Sequence, residues 1–194
     1  MKFVLILLSC LVCSSAVLAS EEFVLDSNTA FFEGEVYNYV IPAPRGFRMV
    51  VDTAMNDGYS LAFTPEDEPY DQASMMIAVS LLRTKGGSVE DVILADTSAA
   101  RQHFGEDMVC WPVDSVRCFS GETLKGFFFD NKSQPQSLVM MSYFDGGSDV
   151  VVFELHVAEN SLPRFQATEI YTRCISLFKA LKKATIEGDA LPSQ

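Results

Sequence analysis

Histidine and tryptophan are scarce in this chain, with two of the first and one of the second, and basic residues are outnumbered twenty-six to fourteen by acidic ones. Each shortage narrows the function. Only His103 and His156 can change charge near neutrality without a perturbed environment. There is no Gly-x-Ser-x-Gly elbow, no His-Glu-x-x-His pair and no glycine loop suited to phosphate. A hydrolase whose groups meet only in space therefore stays as the least favoured reading, and no cofactor is expected. The formal net charge of −12 repels phosphate backbones and anionic lipid, so neither nucleic acid nor a membrane surface is an expected partner.

Long apolar runs are missing except at the start. Met1 and Lys2 precede the run Phe3 to Leu8, and small residues surround Val17-Leu18-Ala19. This is the pattern of a secretory signal peptide over 1–19, cut after Ala19. An uncleaved anchor is the alternative, but Ser9, Cys10, Cys13, Ser14 and Ser15 interrupt a run already short of the ~20 residues a spanning helix needs. Leu7-Leu8-Ser9-Cys10 is a faint lipobox, with too little apolar sequence before Cys10. The expectation is a bacterial protein, periplasmic or secreted, whose mature chain does not insert in the membrane. It comprises one domain over 20–187 and a flexible tail over 188–194.

Cysteine is also limited. Cys10 and Cys13 leave with the signal, and Cys110, Cys118 and Cys174 remain. An odd set in an oxidising compartment suggests one disulfide and one free thiol. Trp111 to Arg117 contains Pro112 and Asp114-Ser115, turn chemistry that would let a short loop close at small entropic cost. Cys110–Cys118 is thus favoured over either pairing with Cys174. Cys174 falls on the helical stripe Ile170, Cys174, Leu177, Phe178, Leu181 and reads as a small buried residue rather than a nucleophile.

What the chain does have is β structure. Ser137 to Val157 sets two apolar runs around Asp145-Gly146-Gly147-Ser148, a hairpin signal. In the first run Leu138 and Met140 face opposite Val139, Met141 and Tyr143, so the strand needs cover on both sides and belongs at the centre of a sheet. In the second, Val151, Phe153, Leu155 and Val157 form a core face, while Val152, Glu154 and His156 become polar towards the end. Strands are also expected at Glu35–Ile41, Phe47–Thr53, Tyr59–Thr64, Ser74–Leu82 and Thr123–Asp130, with short extended pieces at Met108–Val113 and Val116–Phe119, and an irregular arm before Glu33. Ser88-Val89-Glu90-Asp91 is a capping box opening a helix that Gly105 closes. A last helix is expected from Pro163 to about Ala184, with Lys179, Lys182 and Lys183 at its negative end.

Strands joined by short turns with two amphipathic helices make an α+β fold, a mainly antiparallel sheet covered by two helices. The run Tyr39-Val40-Ile41-Pro42-Ala43-Pro44-Arg45-Gly46-Phe47, then Tyr59-Ser60-Leu61-Ala62-Phe63, the strand and helix at Met75 to Phe104, the hairpin at Ser137 to Val157 and the end near Ser176-Leu177-Phe178 together resemble the PsbP-like family, which includes DcrB-like proteins and Ran-binding relatives. The resemblance implies an α/β/α sandwich serving as a non-enzymatic accessory or binding module. It brings no catalytic residues, and the segment between Cys110 and Cys118 departs from it.

Two surface features carry candidate chemistry. Glu66, Asp67, Glu68 and Asp71 form an acidic loop that lacks the regular spacing of a calcium loop. It is expected to be solvated and is a possible interaction loop for a protein partner. Glu154 and His156, at i and i+2 on one strand face, are candidate metal ligands, set against the plainer reading of a solvated strand end. The functional expectation is an exported accessory or protein-binding module, with a small-ligand or metal-binding protein as the alternative.

Overall fold

A computed structural model describes residues 28–84, 86–105, 108–131, 138–158 and 161–183. The expected signal peptide over 1–19 and the expected tail over 188–194 lie outside these residues. In chain order the elements are β1 (Thr29–Glu33), β2 (Tyr37–Pro42), β3 (Phe47–Val50), α1 (Asp52–Asn56), β4 (Leu61–Pro65), β5 (Met75–Arg83), α2 (Val89–Phe104), β6 (Met108–Arg117), β7 (Thr123–Asn131), β8 (Leu138–Asp145), β9 (Asp149–Val157), α3 (Arg164–Ser176) and β10 (Lys179–Lys182), with a 3-10 turn at Tyr70–Gln72 between β4 and β5.

The apolar hairpin occupies the middle because its strands are apolar on both faces. The large sheet has the order β3-β4-β5-β9-β8-β7-β6, all neighbours antiparallel, with β9 fourth of seven. On one face Val151, Phe153, Leu155 and Val157 join Ile77, Val79, Leu61, Phe63 and Leu124 in a core closed by α3 and by the small sheet β1-β2-β10. On the other, Val150 and Val152 join Met141, Tyr143 and Phe129 beneath Val89, Val92, Ile93 and Ala100 of α2. The result is a mainly antiparallel α+β sandwich with helical cover on both sides.

Local chemistry sets the ends of α2 as expected. Ser88 Oγ accepts from Asp91 N at 3.2 Å and Asp91 Oδ2 accepts from Ser88 N at 2.7 Å, so two otherwise orphan donors are satisfied at the start of α2. Gly105 ends the helix at φ +93°, a conformation in which a side chain would be strained. At the hairpin turn the need is for space: a Cβ on Gly146 would stand 2.2 Å from the Tyr39 hydroxyl.

Several expectations are corrected. The last helix stops at Ser176, and Lys179–Lys182 pairs with β2 as a strand. Phe178 explains the switch: it is fully buried, stacked on Tyr39 at 6.1 Å and edge-on to Phe144 and Phe153 at 5.1 and 5.5 Å. Holding that ring in the core outweighs the weak helical preference of the Lys-Ala-Leu-Lys run after it. The buried stripe is consequently Ala167, Tyr171, Cys174, Ile175 and Phe178, and Leu181 is exposed.

The Cys110–Cys118 disulfide is absent, and Cys110, Cys118 and Cys174 are all free. Met108–Arg117 is one extended strand with an irregularity between Val113 and Val116, not a closed loop. Cys110 lies on the strand and packs with the α2-side cluster, while Cys118 follows the strand's far end and packs with the α3-side cluster, so the two sit at opposite ends of β6 and on opposite faces, whereas a disulfide spans only about 4.4–6.8 Å between α-carbons. Finally, the arm before Glu33 contains β1, which pairs with β2, and the extended stretch expected over Phe47–Thr53 gives way to α1 at Asp52.

Candidate functional site

Strand alternation puts Glu154 and His156 on the α2 face, beyond the point where Val150 and Val152 are covered. The two side chains meet: His156 Nε2 lies 2.8 Å from Glu154 Oε1, with the histidine side chain 32% and the glutamate 22% exposed. A third group joins them that sequence reasoning did not single out. The Tyr59 hydroxyl, from the turn before β4, is 3.3 Å from the same Nε2, its ring edge-on to the imidazole. Ninety-seven residues separate Tyr59 from His156. Only the pairing of β4 with β5 and of β5 with β9 brings them together, and no local spacing signals it.

This corner is negative and half-buried. Burial pushes the Tyr59 phenol up to about 12, reinforced by the charges of Glu154 and Asp57. Asp57 Oδ2 accepts from the Tyr70 hydroxyl at 2.9 Å. On the α2 side Asp96 Oδ2 accepts from the Tyr143 hydroxyl at 3.0 Å. Burial raises the Asp96 carboxyl above its usual range, the Tyr143 bond opposes that rise, and Glu154 adds to it. A cation placed among these groups would be favoured.

The expected acidic loop is partly committed to its own fold. Glu68 accepts from Ser74 N at 2.5 Å and Ser74 Oγ at 2.9 Å, and its carbonyl accepts from Arg48 Nη2 at 2.8 Å. Glu66, Asp67 and Asp71 are exposed. The thiols are unsuited to nucleophilic work: burial pushes Cys174 up to about 12, and burial with the Glu122 charge does the same to Cys118, which donates to the Ile175 carbonyl at 3.2 Å. Burial also raises Cys110. His103 lies in the last turn of α2, as expected, and its side chain falls outside the described residues.

A second feature stands on the opposite face. The edge strand β6 exposes Trp111 by 54%, and its register sets Trp111 opposite Phe128, which sets Met140 opposite itself on β8. Phe128 and Met140 are half-buried. Thr168 of α3 reaches Met140 Sδ at 3.6 Å, and Phe165, 69% exposed, stands one turn earlier on that flank. Val113 is exposed and rests over Gly126, where a Cβ would stand 2.5 Å from its Cγ2. An aromatic row thus runs from α3 to the sheet edge. Pro112 has no N–H to offer, and the strand is irregular between Val113 and Val116, so this edge is poorly suited to ladder extension by another strand.

No helix among the described residues is long and apolar enough to cross a membrane. No family model and no curated protein matches the chain. Among solved structures it is similar to the solution structure of cyanobacterial PsbP (CyanoP) from Synechocystis sp. PCC 6803, at 15% identity and a TM-score of 0.49 over 84% of this chain and 98% of that one. At that identity the likeness concerns the fold alone.

Proposed function

We propose that the protein is an exported, non-enzymatic accessory module that docks a basic protein partner on the aromatic row beside β6. The observation that carries this reading is Trp111: the chain's one tryptophan is more than half exposed, in line with Phe128 and Met140, with the exposed Phe165 on the α3 flank beyond Met140. Tryptophan in water without a role is an unfavourable use of a large apolar side chain, whereas exposed aromatics over an apolar floor are typical anchors of protein recognition. Pro112 disfavours backbone pairing, so the contact is made through side chains. The net charge of −12 selects a partner of opposite sign and disfavours a second copy of the same chain.

The test is site-specific photo-crosslinking in the producing cell. A photoreactive phenylalanine analogue replaces Trp111, and a control analogue replaces Leu94, exposed on α2. The expected result is an adduct with a basic polypeptide at position 111 only, lost in Phe165→Glu and weakened by added salt. Charge reversal at Glu66, Asp67 and Asp71 reports whether the acidic loop contributes to the same salt-dependent contact. A dimer of this chain at position 111, or equal adducts at both positions, overturns the reading.

A further inference from the structure

We propose that His156, Glu154 and Tyr59 form a three-donor site for a divalent transition-metal ion, copper(II) or zinc(II), on the α2 face of the sheet. The site is independent of the aromatic row, which lies on the other face.

The argument begins with an over-subscribed atom. Glu154 Oε1 and the Tyr59 hydroxyl both converge on His156 Nε2, at 2.8 and 3.3 Å. That nitrogen has one hydrogen or one lone pair, never both, so it can make one good hydrogen bond. A carboxylate oxygen, an imidazole nitrogen and a phenol oxygen crowded together are instead the donor set of a Lewis acid seated between them. The spacing agrees. Bonds of about 2.0–2.2 Å to a tetrahedral ion place neighbouring donors roughly 3.3 Å apart. Tyr59 already stands at that distance from Nε2, and Glu154 needs to withdraw by about half an ångström. Two donors come from β9, and the third from the turn before β4, which is tied back by Tyr59 N to the Ala54 carbonyl and by Ser60 N to the Val79 carbonyl of β5.

The surroundings favour a cation. Glu154 and Asp57 both act on Tyr59, and Glu154 acts on Asp96. Among the described residues no three of histidine, cysteine, aspartate and glutamate gather at metal-binding range, so the third donor must be the tyrosine. One nitrogen and two oxygens suit zinc or copper, copper binding more tightly, and three protein donors leave a position for water. Binding uses the neutral imidazole with its proton on Nδ1, so that the Nε2 lone pair faces the ion, and it displaces the phenol proton. That proton goes to solvent, so affinity rises with pH.

The test is titration of the metal-free mature protein with copper(II), and separately zinc(II), followed by calorimetry and, for copper, by optical absorption. One equivalent should bind, with a phenolate-to-copper absorption band. His156→Ala and, to guard against a packing defect, His156→Gln should each weaken binding about ten- to a hundredfold, with Glu154→Gln in the same range. Tyr59→Phe removes one oxygen atom and should abolish the absorption band. Failure of the wild type to bind either ion, undiminished binding in both His156 variants, or a band that survives Tyr59→Phe overturns the proposal.

Discussion

The two faces of β9 are built from adjacent residues and differ in what they have to satisfy. On the α3 face Val151, Phe153, Leu155 and Val157 are buried without interruption, and the core continues into Tyr171, Phe178 and the small sheet. On the α2 face cover ends after Val152, and the next two positions are Glu154 and His156, both partly open to water. One face holds the fold together. The other ends in a half-buried Glu-His-Tyr corner, which under the proposed metal site uses the strand's rigidity to position donors.

The sharpest way to break the comparison is Phe153→Ala. Its ring is fully buried against Phe178 and its carbonyl accepts from the Tyr171 hydroxyl at 2.8 Å. Truncation should cost about 3–5 kcal/mol in urea denaturation, enough to remove a large part of the stability of a domain this size. A smaller effect belongs to the cap of α2, the helix covering the other face. Ser88→Ala should cost about 1 kcal/mol. Its pH dependence has a definite sign. The Ser88 backbone N–H and hydroxyl hold the Asp91 carboxyl below its usual range. The folded value thus lies below the unfolded one, and the stabilisation is complete above the ordinary carboxylate range and lost as pH falls through the lowered value. Denaturation as a function of pH should show the gap between wild type and Ser88→Ala narrowing in acid.

The same contrast governs what could be read from the sequence. The hairpin, its position in the sheet and the two-faced patterning of Val139 to Val157 were legible because strand alternation is local. The α2 cap was legible for the same reason, with Ser88 and Asp91 three residues apart. The switch to β10 was not: Lys179 to Lys182 has helical composition, and its conformation is decided by Phe178 meeting Tyr39, Phe144 and Phe153 from distant strands. The disulfide expectation failed on comparable grounds. Pro112 and Asp114-Ser115 read as a turn, yet the ladder with β7 keeps the segment extended, absorbing the excess between Val113 and Val116. At the candidate site Glu154 and His156 were visible as an i, i+2 pair, while Tyr59 enters only through two intervening strand pairings. Trp111 was read only as part of the loop between Cys110 and Cys118, and it is its place on an edge strand that leaves it exposed.

The most direct measurement is the urea stability of the Glu154→Ala/His156→Ala double variant, metal-free, beside wild type. If the α2 end of β9 serves binding and not the fold, the loss stays within about 0.5 kcal/mol, the usual range for partly exposed polar groups. A loss approaching that of Phe153→Ala would contradict the account, because the pair would then be holding the sheet together and the division between the two faces would not exist.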